Sequence, residues 1–593
     1  MSLSGVCLIK PEQVFQNSTS GHNNSTGIFR YIIEEHQPKV APDCAPAKDK
    51  EEIHSKNEGD TVEPDAKKPR LSKKEKRKLH GQNKSRPVFK QNKEKELCNS
   101  LINTAVGKEL PTCNKQKCFF MHDIQEYLNS KPVDIGDQCY NFNTAGFCVR
   151  GLTCRFGKEH VTSDGFNIVN EEKQKDHLQI PERTVNQLSH DLQNLLKKRN
   201  YDFKFAEKIV RYNDLQKKNS TNSGSITDED IIKTLSREKK SLDWKDKLLL
   251  SPLTTVGNLP FRRICKEYGA DITCGEMAMC SSLLQGLPQE WALVKRHHTE
   301  KVFGVQLCAN NPHLLTKCGQ MLEKETEIDF IDLNLGCPIE LVYREGGGCG
   351  LLRRPRVLEA CVRSLSQVLS IPLTVKTRTG VYSTESIAHD LIPKFGEWGA
   401  SMVTIHGRSR EQRYTKLADW QYIGRCAQAA VPLPVVGNGD ILSYEDYKTA
   451  RESCPELTGV MIGRGALIKP WIFTEIKEQK LWDISSAERF DIIKKYVNYG
   501  LEHWGSDTKG VENTRRFLLE WLSFLYRYIP VALLERPPQK INERPPRFHG
   551  RDDLETLMAS SAASDWIKIS EMLLGKVPEG FQFLPKHKSN SYT

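Results

Sequence analysis

The chain has 593 residues, which exceeds what one hydrophobic core can organise and indicates roughly three or four folding units. Its hydrophobic content of 38% is that of a globular protein. No apolar run is long enough for a signal peptide or a membrane span, so a soluble intracellular protein is expected. In that compartment the 18 cysteines are expected to be thiols or metal ligands.

Residues 1–90 are polar and show neither helical nor strand periodicity, which predicts a disordered tail. The net charge of +11 is modest for the whole chain, but residues 67–86 contain ten Lys or Arg and the single acid Glu75. Basic blocks of this kind act as nuclear-import signals or as nucleic-acid contacts. The expected location is therefore the cytoplasm, the nucleus or both.

Residues 92–165 contain two Cys3His sets, with the spacings C-x14-C-x4-C-x3-H and C-x8-C-x5-C-x5-H. Three thiolates and one imidazole suit a closed tetrahedral zinc site, and a segment this poor in large apolar residues needs a metal to fold. The predicted Zn2+ ligands are Cys98, Cys113, Cys118, His122, Cys139, Cys148, Cys154 and His160.

The two sets resemble CCCH zinc fingers, which bind single-stranded RNA. The resemblance implies base stacking by Phe119, Phe120, Tyr140, Phe142 and Phe156. The x5 spacing departs from the usual x3, which favours His122 over His160 as the firmer ligand. Residues 166–244 are rich in Asn, Lys and Glu and predict a linker with short helices. Fingers on such a tether are expected to supply affinity, not chemistry.

Eight apolar runs alternate with helix-length amphipathic stretches over residues 245–480. They begin at Leu248, Ala270, Lys301, Phe330, Pro372, Met402, Pro432 and Gly459. This alternation predicts an α/β fold, a closed parallel (β/α)8 TIM barrel whose chemistry lies at the carboxyl ends of the strands. The residues predicted to converge on that rim are Thr254, Glu276, Gln306, Asn334, Cys337, Lys376, His406, Asn438, Asp440 and Arg464.

The last two strands end in Asn438-Gly439-Asp440 and Gly463-Arg464, where barrels of this kind bind phosphate. No GxGxxG follows a strand, so a separate Rossmann domain is not expected. Lys376 and His406 end strands five and six, where a cation suits an anionic, electron-accepting ring. A phosphate-bearing cofactor on the barrel rim points to FMN.

Cys337 follows the fourth strand, between Gly336 and Pro338. A thiol past the strand end, before a glycine-rich turn, predicts an exposed functional cysteine. With an ordinary pKa near 8.5 it is mainly protonated at neutral pH. It can therefore donate a proton while a flavin hydride reduces a polarised C=C bond.

Residues 481–580 show helical spacing of apolar side chains, as in Phe490, Ile493, Val497 and Leu501, and predict an all-helical domain. Basic residues decorate it, which suits RNA binding but is also common on helical surfaces. These residues are Arg515, Arg516, Arg527, Arg536, Lys540, Arg544, Arg547 and Arg551.

From about residue 245 to 575 the chain resembles the tRNA-dihydrouridine synthases, FMN-dependent barrel enzymes that reduce the 5,6 double bond of uridine. The motifs, in family order, are SPLT from Ser251, GVQL from Gly304, NLGCP from Asn334, VKTR from Val375, HGR from His406, GNGD from Gly437 and GR from Gly463. The basic block and the two fingers are similar to the eukaryotic subfamily that acts at position 47 of the tRNA variable loop.

The resemblance implies that Cys337 is the general acid, that Asn334 faces the substrate and that NADPH is the reductant. The residues it implies for FMN binding are Pro252, Leu253, Thr254, Gln306, Lys376, His406, Asn438, Gly439, Asp440, Gly463 and Arg464. tRNA is the implied partner, the helical domain is implied to bind it, and a monomer is expected.

Two alternatives remain at this point. One is a catalytically inactive CCCH scaffold that binds RNA, which the intact Asn334, Cys337, Lys376 and His406 disfavour. The other is an FMN barrel oxidoreductase acting on a small pyrimidine, which the fingers and the basic tail disfavour. The sequence leaves open the use of messenger RNA, the choice between NADPH and NADH, and the oligomeric state.

Overall fold

Eight parallel strands close into a barrel in the computed structural model, which describes residues 6–14, 93–179, 183–219, 239–412, 414 and 416–586. The strands are β1 Leu248–Leu250, β2 Ile272–Cys274, β3 Val302–Cys308, β4 Phe330–Asn334, β5 Leu373–Arg378, β6 Met402–His406, β7 Val435–Asn438 and β8 Gly459–Ile462. The barrel closes because Val460 of β8 pairs with Leu248 of β1. Each predicted run contains one strand, so the predicted barrel is confirmed.

Helices cover the outside of the barrel, and the strands are buried almost throughout. These helices are α1 Leu259–Glu267, α2 Pro312–Glu325, α3 Pro355–Val368, α4 Ala388–Glu397, α5 Trp420–Ala430, α6 Tyr444–Ser453, α7 Arg464–Ile468 and α8 Ile472–Glu478. The side chains of Asn258, Asn311 and Asp419 each accept a hydrogen bond from the first turn of α1, α2 and α5. Asn and Asp are preferred at this position, so the sequence predicts where these helices begin.

Short elements fill the loops between these units. Within the barrel they are the strand Ala278–Met279, which pairs with β3, the helices Cys280–Leu284, Pro288–Trp291 and Glu340–Arg344, and the 3-10 turns Ala292–Val294 and Gly348–Arg353. In the finger region they are the helices Ile124–Ser130 and Tyr140–Ala145 and the 3-10 turns Lys93–Lys95, Gly151–Thr153 and Gly157–Glu159.

The C-terminal helices pack directly against the barrel. They are α9 Ser486–Trp504, α10 Thr508–Leu525, α11 Asp553–Met558 and α12 Ala563–Leu574, with the 3-10 turn Val531–Leu533. Trp521 on α10 donates its indole N–H to the carbonyl of Leu467 at 3.0 Å. Arg515 is buried and donates to the carbonyls of Leu574 and Gly575, so it caps α12 and is not available for RNA.

The predicted linker at 166–244 contains the expected short helices, but two of them pack on the barrel, which the sequence did not indicate. The helix Glu171–Gln179 is followed by His190–Lys197 and Lys204–Asn219, whose residues Leu196 and Ala206 are buried in the barrel's hydrophobic core. The backbone N–H of Ala206 also donates to Gln320 on α2 at 2.9 Å. Only a few apolar residues on each helix make these contacts. The segment therefore has the polar composition of a linker.

The predicted disordered tail also needs a correction at its start. Residues 6–14, with the 3-10 turn Pro11–Gln13, lie against the C-terminal part of the chain. Ile9 pairs with Leu534 and Val14 with Phe548 in isolated bridges. The rest of the predicted tail, including the basic block 67–86, lies outside the described residues. None of the described helices combines the length and apolar character required to cross a bilayer.

A buried ion pair joins α1 to the loop before β3. The Arg262 guanidinium lies 2.7 Å from the carboxylate of Glu300, and their side chains are 2% and 0% exposed. Glu300 also accepts from the Thr273 hydroxyl at 2.7 Å and from the His297 backbone N–H at 3.0 Å. Removing one partner of such a pair leaves a buried charge without compensation.

Replacing Glu300→Gln should therefore lower the free energy of unfolding by roughly 3–5 kcal/mol, because Arg262 would remain charged and buried. The matched control is Glu359→Gln, which breaks the exposed pair with Arg363 and should cost less than about 1 kcal/mol. Urea denaturation followed by tryptophan fluorescence measures both. Equal destabilisation by the two variants would contradict the importance of the buried pair.

Candidate functional site

A chain of hydrogen-bonded side chains crosses the carboxyl end of the barrel from β5 to β3. The Thr374 hydroxyl donates to Asp332 at 2.7 Å, and Asp332 accepts from the Gln306 amide at 2.6 Å. Gln306 in turn accepts from the Asn334 amide at 2.8 Å. Asn334 then accepts from the backbone N–H of Cys337 at 2.9 Å. This network fixes the side-chain amides and the loop that carries the thiol.

Cys337 is buried, so the expectation of an exposed thiol is wrong. It is 8% exposed and packs with Val342 of the helix Glu340–Arg344. Gly348 has φ +53°, and a Cβ there would lie 2.9 Å from the Cβ of Cys337. A larger residue would not allow the turn to close over the cysteine. Burial raises the pKa of Cys337 above its ordinary value, which keeps the thiol protonated at neutral pH.

Lys376 and His406 lie on neighbouring strands among further cations. Burial, with Arg378 nearby, lowers the pKa of Lys376 to about 8, and its ammonium lies 3.3 Å from the Asn438 side-chain oxygen. Burial and the adjacent cations hold the pKa of His406 well below its ordinary value, so the imidazole is neutral. Its Nε2 lies 3.4 Å from the Arg408 guanidinium. Lys376 therefore supplies charge, whereas His406 supplies a neutral polar ring.

Asp440 holds two arginines in place. Its carboxylate accepts from Arg408 at 2.6 and 2.7 Å, from Arg464 at 2.9 Å and from the Ala418 backbone N–H at 2.7 Å. Gly439 before it has φ +142°, and a Cβ there would lie 2.5 Å from that of Ala418. Asp440 thus orients Arg464, a role that the sequence did not suggest.

The end of β1 meets the end of β8. A Cβ placed on Gly463 would lie 3.7 Å from a side-chain methyl of Leu253. Pro252 and Leu253 are half-buried, and Thr254 is exposed. The next residue, Thr255, donates its backbone N–H to buried Glu276 at 2.5 Å, so Glu276 anchors this loop.

The basic residues at this end of the barrel outnumber the acids that pair with them. The pKa of His406 is lowered by four nearby cations, Lys376, Arg378, Arg408 and Arg464. Asp440 forms ion pairs with two of these, Arg408 and Arg464. This excess fits an anionic group with a phosphate and an electron-poor ring. Arg378 and Arg408 are not among the site residues predicted from the sequence. Each stands two positions after a predicted site residue, within the VKTR and HGR motifs.

The structure brings both predicted metal-ligand sets together, with all candidate ligand atoms of each set within 4.8 Å of one another. The sets are Cys98, Cys113, Cys118 and His122, and Cys139, Cys148, Cys154 and His160. The Nε2 atom of His160 is buried and has no hydrogen-bond partner among the described residues. A buried imidazole beside three thiols fits a metal ion with soft ligands.

The two clusters differ in their surroundings. His122 is exposed, whereas all four members of the second cluster are buried. The Cys148 thiol lies 3.4 Å from the Ser506 hydroxyl between α9 and α10, and the Arg155 N–H donates to the Ser506 carbonyl at 2.8 Å. The second finger is therefore packed on the helical domain and is not tethered.

The aromatic side chains of the two fingers also differ in exposure. Phe119 in the first finger is 73% exposed. In the second finger Tyr140 contacts the ring of Tyr499, Phe142 contacts His160 and Phe156 is buried. The expectation that Phe156 stacks on bases is therefore wrong, because this side chain belongs to the core shared with the helical domain.

The variants Cys113→Ser and Cys148→Ser should each lose one equivalent of metal but differ in stability. Cys148→Ser should lower the melting temperature of the catalytic unit by roughly 5–10 °C, because its cluster supports the helical domain. Cys113→Ser should leave that transition within about 2 °C of wild type. Calorimetry with zinc analysis measures both, and an equal shift in the two variants would contradict the structural role of the second cluster.

The family model described as "Dihydrouridine synthase (Dus)" matches residues 249–524. Three similar relatives are named tRNA-dihydrouridine(47) synthase [NAD(P)(+)]-like. The Xenopus tropicalis protein is 53% identical over 545 residues, covering 88% of this chain and 84% of the relative. The Homo sapiens protein is 52% identical over 555 residues, covering 87% and 84%. The Arabidopsis thaliana protein is 42% identical over 601 residues, covering 86% and 87%.

The family model covers the barrel, α9 and nearly all of α10. The barrel rim has a buried thiol facing the same end as a set of cations, which suits a flavin-dependent oxidoreductase. The chain belongs to the dihydrouridine synthase family.

Proposed function

We propose that this chain reduces uridine to 5,6-dihydrouridine at position 47 in the variable loop of tRNA, with FMN as its flavin and NADPH as the hydride donor. The names of the relatives support the tRNA substrate and the position. The observation that carries the proposal is a protonated, buried Cys337 at the same barrel rim as Lys376, His406 and Arg464. A scaffold without activity has no need for this arrangement.

The residues proposed to hold FMN lie on six of the eight strands or directly after them. Arg464, Gly463 and the turn at Asn438-Gly439 would bind the phosphate, with Asp440 orienting Arg464. Lys376, His406 and Gln306 would contact the ring, and residues 252–254 would border it. When bound and reduced by NADPH, FMN supplies a hydride to C6 of the uracil ring.

The protein's own groups complete the reduction. The thiol of Cys337 gives its proton to C5, so that the C5–H bond forms as the S–H bond breaks and the thiolate is reprotonated from solvent. Asn334 faces the uracil, and its bond to the Cys337 backbone positions the acid relative to the base. The neutral His406 would offer the flavin ring a hydrogen bond without adding charge. Lys376 would stabilise negative charge on the ring. The uridine must leave the RNA stack to reach this rim.

The remaining units are proposed to bind metal and RNA. Zn2+ suits both Cys3His clusters, because three thiolates and an imidazole complete its preferred tetrahedron. The first finger presents Phe119 to solvent, and the helical domain presents Arg516, Arg536, Arg544 and Arg547 on its surface. These exposed groups are proposed to contact tRNA through stacking and phosphate contacts.

Cys337→Ala should separate the two half-reactions. Reduction of the bound flavin by NADPH should stay at the wild-type rate, whereas oxidation of the reduced enzyme by tRNA should fall by about 10²–10⁴-fold, since only the second step needs the proton. Stopped-flow absorbance with mass spectrometry of the tRNA measures both steps. The matched control is Cys349→Ala, which removes a neighbouring buried thiol. Wild-type tRNA oxidation in Cys337→Ala would overturn the assignment.

The affinity for FMN should fall with rising pH between 7.5 and 9.5. The pKa of Lys376 is about 8 without ligand, and a bound anion favours its charged form and raises that pKa. Its contribution is therefore full below pH 8 and is lost as pH rises, by at most about tenfold in Kd per pH unit. Fluorescence titration of the apoprotein measures this. Lys376→Met should flatten the profile, the exposed control Lys394→Met should retain it, and a pH-independent wild-type Kd would contradict the role of Lys376.

A further inference from the structure

A cavity of about 760 Å³ lies at the face of the barrel opposite the rim. Lys247 precedes β1, and Ile272 and Val302 begin β2 and β3; all three line it. In a parallel barrel such positions lie at the amino-terminal face. The seven residues of β3 place this face roughly 20 Å from the rim. The cavity is therefore separate from the site of Cys337.

Three parts of the chain surround the cavity. Arg263 on α1 and Tyr499 on α9 form two of its sides. The antiparallel pair of short strands Thr184–Val185 and Arg296–His297 borders the third. Tyr140 of the second finger contacts the ring of Tyr499, with 6.3 Å between centroids. The cavity thus forms where the predicted linker and the second finger meet the barrel.

The lining is basic, with six Lys or Arg and three carboxylates. Every carboxylate already has a cationic neighbour. The pairs are Asp243 with Lys247 at 3.1 Å, Glu267 with Lys495 at 3.2 Å and Asp271 with Lys477 at 2.7 Å. Among the described residues, no carboxylate lies within 4.0 Å of Arg183, Lys266 or Lys301, which also line the cavity. These three cations therefore form no ion pair within the described part of the protein.

Two buried donors in the lining also lack partners. His297 is 3% exposed, and its Nδ1 lies 2.8 Å from the Thr299 hydroxyl and accepts from the Thr299 N–H at 3.4 Å. The ring proton therefore resides on Nε2, which is buried and has no partner among the described residues. The Nε of Arg183 is buried and unpaired in the same way. Buried donors are nearly always satisfied in proteins, so this pair indicates a missing acceptor.

We propose that this cavity binds a phosphate group of an RNA backbone, with Arg183, Lys301 and His297 as its ligands. Uncompensated cations and unpaired N–H donors are the groups that recognise a phosphodiester anion. The second finger and the helical domain adjoin the cavity, so an RNA held there also lies beside these units. The site is distinct from the barrel rim and does not depend on the reaction proposed there.

An RNA backbone suits the cavity better than a free nucleotide. A nucleotide site needs an aromatic or apolar face for the base. The aromatic rings in the lining are already engaged, because the Arg263 guanidinium lies 3.7 Å from the centroid of Tyr499 and the His297 and His298 rings contact each other with 4.3 Å between centroids. The Tyr499 hydroxyl is also hydrogen-bonded to Glu267. The remaining lining offers charge and N–H donors, which is the chemistry of a phosphate contact.

The test compares Arg183→Gln/Lys301→Gln with Lys394→Gln/Arg425→Gln in the full-length protein loaded with zinc and flavin. The control removes the same charge from exposed positions on α4 and α5. Fluorescence anisotropy gives the Kd for a tRNA transcript over a range of salt concentrations. Relative to the control, the cavity variant should bind roughly tenfold more weakly, and its slope of log Kd against log salt should fall by about one to two. Flavin reduction by NADPH without tRNA should be unchanged.

Calorimetry with inorganic phosphate and with adenosine monophosphate separates the two phosphate sources. One outcome would overturn the RNA assignment in favour of a free ligand. In that outcome the wild-type protein binds the nucleotide, the cavity variant does not, and the cavity variant and the control have equal affinity for tRNA. Equal tRNA affinity and salt slope in the two variants, without binding of either small ligand, would overturn the site itself. If the double variant melts below the control, the exposed single change Lys301→Gln decides the comparison by the same criteria.

Discussion

Pairing between β8 and β1 determines where every reactive side chain of this protein lies. Val460, Met461 and Ile462 stand opposite Leu248, Leu249 and Leu250, and this register turns a row of parallel strands into a ring. In an open sheet of the same order, Cys337 would follow a central strand and Arg464 would follow an edge strand. Closure instead brings the carboxyl ends of all strands to one rim, where the thiol, the cations and the first loop surround a common space.

Burial then gives each group on that rim its chemical character. It raises the pKa of Cys337 and lowers that of Lys376 and His406, so one environment keeps a thiol protonated and an imidazole neutral. Asp440 forms ion pairs with both Arg408 and Arg464 and thereby holds the two side chains next to each other. The rim therefore combines a proton donor with a region of positive charge.

The second finger and the helices before the barrel pack against the rest of the protein, although their polar composition predicted a tether. The second Cys3His cluster shares a hydrophobic core with α9 and α10, and the helices His190–Lys197 and Lys204–Asn219 lie on the barrel. The basic cavity on the opposite face arises from the same packing. The units proposed to recognise RNA are thus joined to the barrel by packed contacts.

The sequence by itself determined the eight strands, the two Cys3His sets and most of the rim residues, because these depend on local periodicity, spacing and position after a strand. It did not reveal that Cys337 is covered, that Asp440 serves Arg464 or that His160 is more buried than His122. Nor did it show that residues 190–219 pack on the barrel, since a few apolar side chains among many polar ones are also typical of a linker. Those features were decided by the tertiary structure alone, because burial and charge pairing arise only when segments distant in sequence come into contact.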